Sequence, residues 1–352
     1  MAWIAALVLI APGLGLWSHP SRAEGPASLG KSVPVQLIAI PRDIPLRIAR
    51  PPKRSTGGTE AAMTATFTVT YVPAGTDDGS GQGTTCKAWP AAAQTALEYA
   101  ASIWGDIITS TVPINVQACW ATLGSPTTLG YSWSSLRTDG STVYHQSLYE
   151  KIAGTNLSNP DTFVTYNDGF SWYFGTDGAT PAGQYDFVSV VLHEIGHSLN
   201  FAGGMRYGNT SCGNPNYGCW GYSQTPPLPN IYDRFTEDGS GQSLIDTAVY
   251  ANFSTALGDA LRGGNLYFDG PKARFANGGT PVKIYAPGTW ASGSSYSHLD
   301  YATYAGGANA LMVYAIGSAT AIHSPGPVAR GILEDVGWTG ALPVALESFS
   351  VE

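Results

Sequence analysis

Three patterns in the sequence predict an α/β (α+β) fold with a mixed, twisted sheet. Residues 64–72 alternate apolar and polar side chains with the period of two expected of a half-buried strand. Residues 90–110 carry an apolar stripe (Ala93, Ala96, Leu97, Ala100, Ile103, Trp104, Ile107) at the spacing that gathers side chains on one helix face. Strand-like and helix-like stretches then succeed one another as far as residue 199, an order that packs helices on a sheet.

Taken in order, residues 1–23 join an uncharged apolar run to Ser21-Arg22-Ala23, a small-x-small cleavage pattern. They read as a signal peptide cut near Ala23, which implies a secreted, extracellular protein. Residues 24–62 are Pro-rich and hold six basic against three acidic residues, whereas ten basic and 22 acidic residues follow them. This leader reads either as a prosegment docked over an acidic domain, with Lys53-Arg54 as a cleavable site, or as a flexible linker. The main domain is expected over residues 63–340. Its first strand, 64–72, leads to the helix at 90–110, where Pro90 suits the first turn. Pro113 breaks that helix, and residues 114–120 read as a strand. Cys86 and Cys119 bracket helix and strand and are expected to staple them. Residues 123–160 read as irregular, residues 162–166 as a short strand, and residues 184–199 as a helix burying Phe187, Val188, Val191, Ile195 and Leu199. A loop-rich insertion spans 201–290, where Cys212 and Cys219 fit a local disulfide. A last helix over 325–336 ends at Gly337-Trp338, and residues 341–352 form a tail or linker.

Composition narrows the class of protein. The chain has 352 residues, 43% hydrophobic and 12% charged, with 43 Gly and 19 Tyr, which suits a loop-rich extracellular globule. A net charge of −8 offers no electrostatic support for a nucleic-acid partner. Beyond the leader no apolar run reaches the roughly 18 residues of a membrane span, so a soluble monomer is expected.

Chemistry concentrates in His193-Glu194-Ile195-Gly196-His197. Two histidines at i and i+4 share one helix face and can hold one metal ion, while the glutamate one step round reaches a water on that ion. This is the HExxH arrangement of zinc hydrolases, and it needs a third protein ligand. No Glu occurs in residues 210–236, so a helix-borne glutamate soon after the motif is absent. The compact pattern HExxHxxGxxH fails too, because Asn200 and Gly203 stand at its last two named positions. Asn200 tolerates the positive φ needed to turn the chain away after the helix. His145, His298, His323 or a carboxylate remain, with His298 favoured because Leu311-Met312 follows it. Asp77-Asp78-Gly79 and Glu237-Asp238-Gly239 lack the spacing of a calcium cage and read as turns, so structural Ca²⁺ has no support.

The HExxH helix, a long insertion, Ser297-His298, Leu311-Met312, and a helix ending in Leu333-Glu-Asp-Val-Gly-Trp338 together resemble the leishmanolysin family of metzincins. The likeness covers roughly residues 185–201 and 296–338. It implies a zincin fold, one catalytic Zn²⁺ on His193, His197 and His298, Glu194 as general base, and Met312 in a methionine turn beneath the metal. It implies protein or peptide substrates, and an exposed edge strand beside the helix, with residues 162–166 as the candidate, could hold such a peptide extended by strand addition. Tyr314, two residues past Met312, becomes a candidate oxyanion donor, with a packed tyrosine as the other reading. His323 reads as structural or capping, and His145 as no ligand. The chain departs from the family in Asn200, in a longer insertion and in having few cysteines. A rival from another class is a secreted adhesin or glycan-binding protein on the same scaffold, with structural zinc.

Overall fold

The computed structural model describes residues 28–52, 64–157, 160–222 and 226–338. The expected signal peptide and the tail at 341–352 lie outside them. Nine strands form one twisted mixed sheet: β1 (Ser28–Lys31), β2 (Val35–Ile48), β3 (Phe67–Tyr71), β4 (Cys86–Lys87), β5 (Ile114–Ala121), β6 (Thr128–Thr138), β7 (Val143–His145), β8 (Thr162–Asn167) and β9 (Ala315–Ile322). The path runs β9-β2-β6-β8-β5-β3. Strands β3, β5 and β8 are parallel neighbours. β6 lies antiparallel to both β8 and β2, and β2 runs parallel to β9.

Three expectations need correction. Folded structure does not begin near residue 63, because β1 and β2 belong to the main sheet. Residues 123–160 are not irregular: they hold β6, β7 and a helix, α2 (Gln146–Ala153). β6 carries Ser, Thr and Gly where strands usually show β-branched residues, yet it is mostly buried because it runs between two other strands. Finally, the strand at 162–166 is no free edge that a peptide might join, since β8 is paired on one side with β5 and on the other with β6.

The first helix, α1 (Ala91–Ile107), follows Pro90 and buries the expected stripe. It packs beside α3 (Phe187–Ser198), the helix of the HExxH motif. Asp186 caps α3 by accepting from the Ser189 N–H at 2.8 Å. Rings of Trp89, Trp120, Tyr166, Trp172 and Phe174 surround Phe187 at centroid distances of 5.0–6.4 Å and fix that end of the helix. The sequence suggested one buried face, but all twelve residues of α3 are buried. The sheet covers one side and the chain around residues 294–312 the other. The last helix, α4 (Gly326–Val336), carries Trp338 just beyond its end, and the indole N–H donates to the Leu199 carbonyl at 2.7 Å. Trp104 likewise donates to the Leu192 carbonyl at 3.0 Å. Both disulfides form, Cys86–Cys119 and Cys212–Cys219. The insertion holds a small antiparallel sheet of Thr236–Asp238, Leu266–Phe268 and Val282–Lys283. Among the described residues no helix is long and apolar enough to cross a membrane.

Candidate metal centre

His193 and His197 project from one face of α3, as their spacing requires, and His298 meets them from a loop about a hundred residues later. The three Nε2 atoms converge, with separations of 2.9 Å (193–197), 3.1 Å (193–298) and 3.2 Å (197–298). Each Nδ1 has a backbone carbonyl as its partner: Leu311 for His193 at 2.7 Å, Phe201 for His197 at 2.8 Å, and Ser294 for His298 at 2.7 Å. A carbonyl only accepts, so each Nδ1 carries the proton and each neutral ring turns a bare Nε2 lone pair inward.

Burial keeps the rings neutral. It lowers the His193 pKa to about 4 and, with repulsion from neighbouring imidazoles, pushes His197 and His298 well below their ordinary value. Three inward lone pairs with no proton among them repel one another unless a cation lies between them. With metal–nitrogen bonds of about 2.0–2.1 Å, separations of 2.9–3.2 Å subtend roughly 90–105° at one shared ion. The donor set therefore fits a divalent metal, and it is the one such group of His, Cys, Asp or Glu found among the described residues.

Local structure explains how each ligand is held. Asn200 has φ 76° and ends the helix as expected; its side chain accepts from the His145 N–H at 2.7 Å and donates to the Ala202 carbonyl and to Asn230. That turn brings the Phe201 carbonyl back to His197. Met312 is fully buried against the helix where Gly196 leaves room: a Cβ on Gly196 would lie 2.8 Å from the methionine sulfur. The neighbouring Leu311 carbonyl thereby reaches His193. On the other side Tyr296 adopts φ 74°, pinned by its hydroxyl to Asp233 at 2.7 Å, and Leu299 donates to the Met312 carbonyl at 2.8 Å. These two anchors bracket His298.

Glu194 is fully buried. Its Oε2 accepts from the Ser132 hydroxyl of β6 at 2.8 Å, and its Oε1 accepts from the Leu37 N–H of β2 at 3.1 Å. Burial raises its carboxyl to about 8, against the lowering effect of those two hydrogen bonds. A dication nearby acts the other way and favours the carboxylate.

Neither of the other two candidate histidines joins the cluster. His145 is buried at the end of β7 and is no member of it. His323 pairs with Asp186 at 2.9 Å, below the start of α3, a structural role. The Tyr314 ring stacks on Tyr285 at 4.2 Å and packs against Tyr301 at 5.5 Å, while its backbone carbonyl accepts from Ile38. Asp78 is buried and accepts from Tyr131 at 2.5 Å and Thr165 at 2.9 Å, so its turn is tied into the sheet. Ser132 and Leu37 are contacts that sequence reasoning missed. Both depend on cross-strand register, for which a lone serine and a leucine in a Pro-rich leader carry no signal. Comparison of the chain with protein-family models, curated proteins and solved structures gives no match.

Proposed function

We propose that this chain is a secreted zinc endopeptidase of metzincin type, similar in plan to the leishmanolysin family. Support comes from a three-histidine set whose lone pairs need a cation, a methionine packed beneath the helix, and a mixed sheet with α3 against it. The observation that carries the reading is Glu194. A purely structural metal site has no use for a buried carboxylate one residue from a ligand, and the adhesin alternative leaves it unexplained.

His193, His197 and His298 would hold a zinc ion, which would supply Lewis-acid chemistry toward a peptide carbonyl and a water. Glu194 takes the proton from the attacking water and returns it to the leaving amine. Ser132 orients the carboxylate for both transfers. The Leu311, Phe201 and Ser294 carbonyls fix the three ring tautomers, so the ligand face needs no rearrangement. Two disulfides accord with an oxidising compartment.

The test pairs metal analysis with proteolysis. Glu194→Ala is expected to keep about one zinc per chain and to lose casein cleavage by roughly 10²–10⁴-fold. His298→Ala is expected to lose most of the metal as well. Undiminished cleavage by Glu194→Ala would end the peptidase reading, and full zinc retention by His298→Ala would end the ligand assignment.

A further inference from the structure

Two residues beside the metal ligands hold backbone angles that most side chains avoid. Asn200 stands three places after His197 with φ 76°, and Tyr296 two places before His298 with φ 74°. Asparagine tolerates that region, whereas a tyrosine in it is an outlier that surrounding bonds must hold in place. Both side chains are tied to one short piece of the insertion. Asn200 Nδ2 donates to Asn230 Oδ1 at 2.8 Å, and the Tyr296 hydroxyl donates to Asp233 Oδ1 at 2.7 Å. Asn230 and Asp233 are joined in turn, the Asn230 N–H donating to Asp233 Oδ2 at 2.9 Å. An unbroken line of hydrogen bonds thus runs from the turn behind His197 to the turn before His298. All four residues on it are fully buried.

Asp233 is the junction of that line. Besides Tyr296 and Asn230 it accepts from the Gly204 N–H at 2.8 Å. One carboxylate therefore grips both the chain that leaves the motif helix and the chain that brings in the third ring. Its own position is fixed from the sheet side. It lies in a single 3₁₀ turn, Tyr232–Phe235, whose entry is bonded to β7 by Val143 N–H to the Pro229 carbonyl and Ile231 N–H to the Val143 carbonyl, both at 2.9 Å. Gly203 shows how little room the junction leaves, because a Cβ there would collide with Asp233 Oδ1 and with the Tyr296 ring. Position 203 is where the compact HExxHxxGxxH spacing sets its third histidine. Here that space is filled by the clamp for a histidine that arrives from position 298.

We propose that Asp233 is a positioning residue of the metal centre, holding both strained turns so that His298 stands ready beside His193 and His197. It acts through the Tyr296 hydroxyl and the Gly204 N–H. In the metal-free chain three inward lone pairs push the rings apart, and the clamp opposes that push, so an ion meets a site already ordered. The inference rests on His298 as a ligand and is independent of the reaction the centre carries out.

The test measures metal binding to the full chain and three variants. Tyr296→Phe removes one hydroxyl, Asp233→Asn sets a donor among the donors that Asp233 accepts from, and the control Tyr304→Phe removes a hydroxyl bonded instead to Asn277 and Lys283. Zinc affinity is read by competition with a chromophoric chelator, the geometry at the metal by the visible absorption of the cobalt(II)-loaded chain, and folding of the metal-free chain by circular dichroism. Tyr296→Phe and Asp233→Asn are expected to stay folded, to bind zinc about 10–100-fold more weakly and to shift the cobalt bands, while Tyr304→Phe changes neither. A merely structural role predicts lower stability with zinc affinity and cobalt spectrum unmoved, and that result overturns the inference. Equal weakening by Tyr304→Phe overturns it too, because any lost hydroxyl would then suffice. If Asp233→Asn does not fold, Tyr296→Phe decides. An unaltered chain that binds no zinc overturns the ligand assignment and this inference with it. Cleavage plays no part in these readings, so the peptidase reading stands or falls separately, on Glu194→Ala.

Discussion

Gly196 shows how closely the metal site is fitted to its support. It stands between Glu194 and His197, and a methyl group there would press on the Met312 sulfur at 2.8 Å and on Trp104 at 3.3 Å. Gly196→Ala is expected to lower stability by about 1–3 kcal/mol, the usual cost of overpacking a filled core, despite alanine's better helix propensity. Denaturant titration checks this, and a gain in stability would contradict the packing described. His193 and His197 were legible in the sequence because helix periodicity alone puts them on one face, and Glu194 because it stands one step round from that face. Asn200 was legible because few residues accept its φ. His298 was legible only through its spacing to Met312, since the bonds that deliver it, from Tyr296 to Asp233 and from Leu299 to Met312, join segments far apart in sequence. Ser132 was not legible: a serine in a strand gives no sign of the carboxylate across from it.

At the scale of elements, α1, α3, β3, β5, β8 and α4 were readable from periodicity and breakers, while β6 and α2 were not. Periodic burial marks an element with one wet face, and β6 has none for most of its length. The short helix α2 follows β6 and β7 and brings a buried acid pair with it. Gln146 donates to Glu150 at 2.9 Å and to Asp161 at 2.8 Å, tying the two carboxyls together. Burial, reinforced by the Asp161 charge, raises Glu150 to about 7, and burial raises Asp161 as well. A carboxyl whose pKa is higher in the folded chain binds more protons there than in the unfolded chain. The contribution of Glu150 to stability therefore falls as pH rises from about 4.5 to about 7 and is spent above that. Glu150→Gln is expected to flatten that slope and to gain most over the unaltered chain at pH 8, as denaturation at a series of pH values will reveal. An unchanged slope would place the titration elsewhere.

For the whole molecule, a metal held by His193, His197 and His298 would tie α3 to the loop carrying His298, so metal binding is expected to add to global stability. At free metal a thousandfold above Kd the gain is about 4 kcal/mol, which for a domain of this size corresponds to roughly 8–16 °C in Tm. Calorimetry with and without chelator measures it, and a Tm indifferent to metal would mean the three histidines do not bind tightly. Charge asymmetry between leader and domain was visible in the sequence and suggested docking, but strand incorporation was not visible. β2 takes its place through pairing with β6 and β9, and such pairing is written in neither strand alone.

That pairing bears on the order in which the chain matures. Ile38 stands opposite Ala315, a separation that makes the β2–β9 ladder among the most non-local contacts of the fold. Such contacts form late and slowly, because the long loop must close before any bond rewards it. During synthesis β2 emerges early and waits for β9, by which time α3 and His298 have already been made. The three histidines can therefore meet while the groove above them is still open to solvent. A metal ion supplied during that interval would meet the three rings before β2 is in place, and late removal or addition of metal during refolding tests the order.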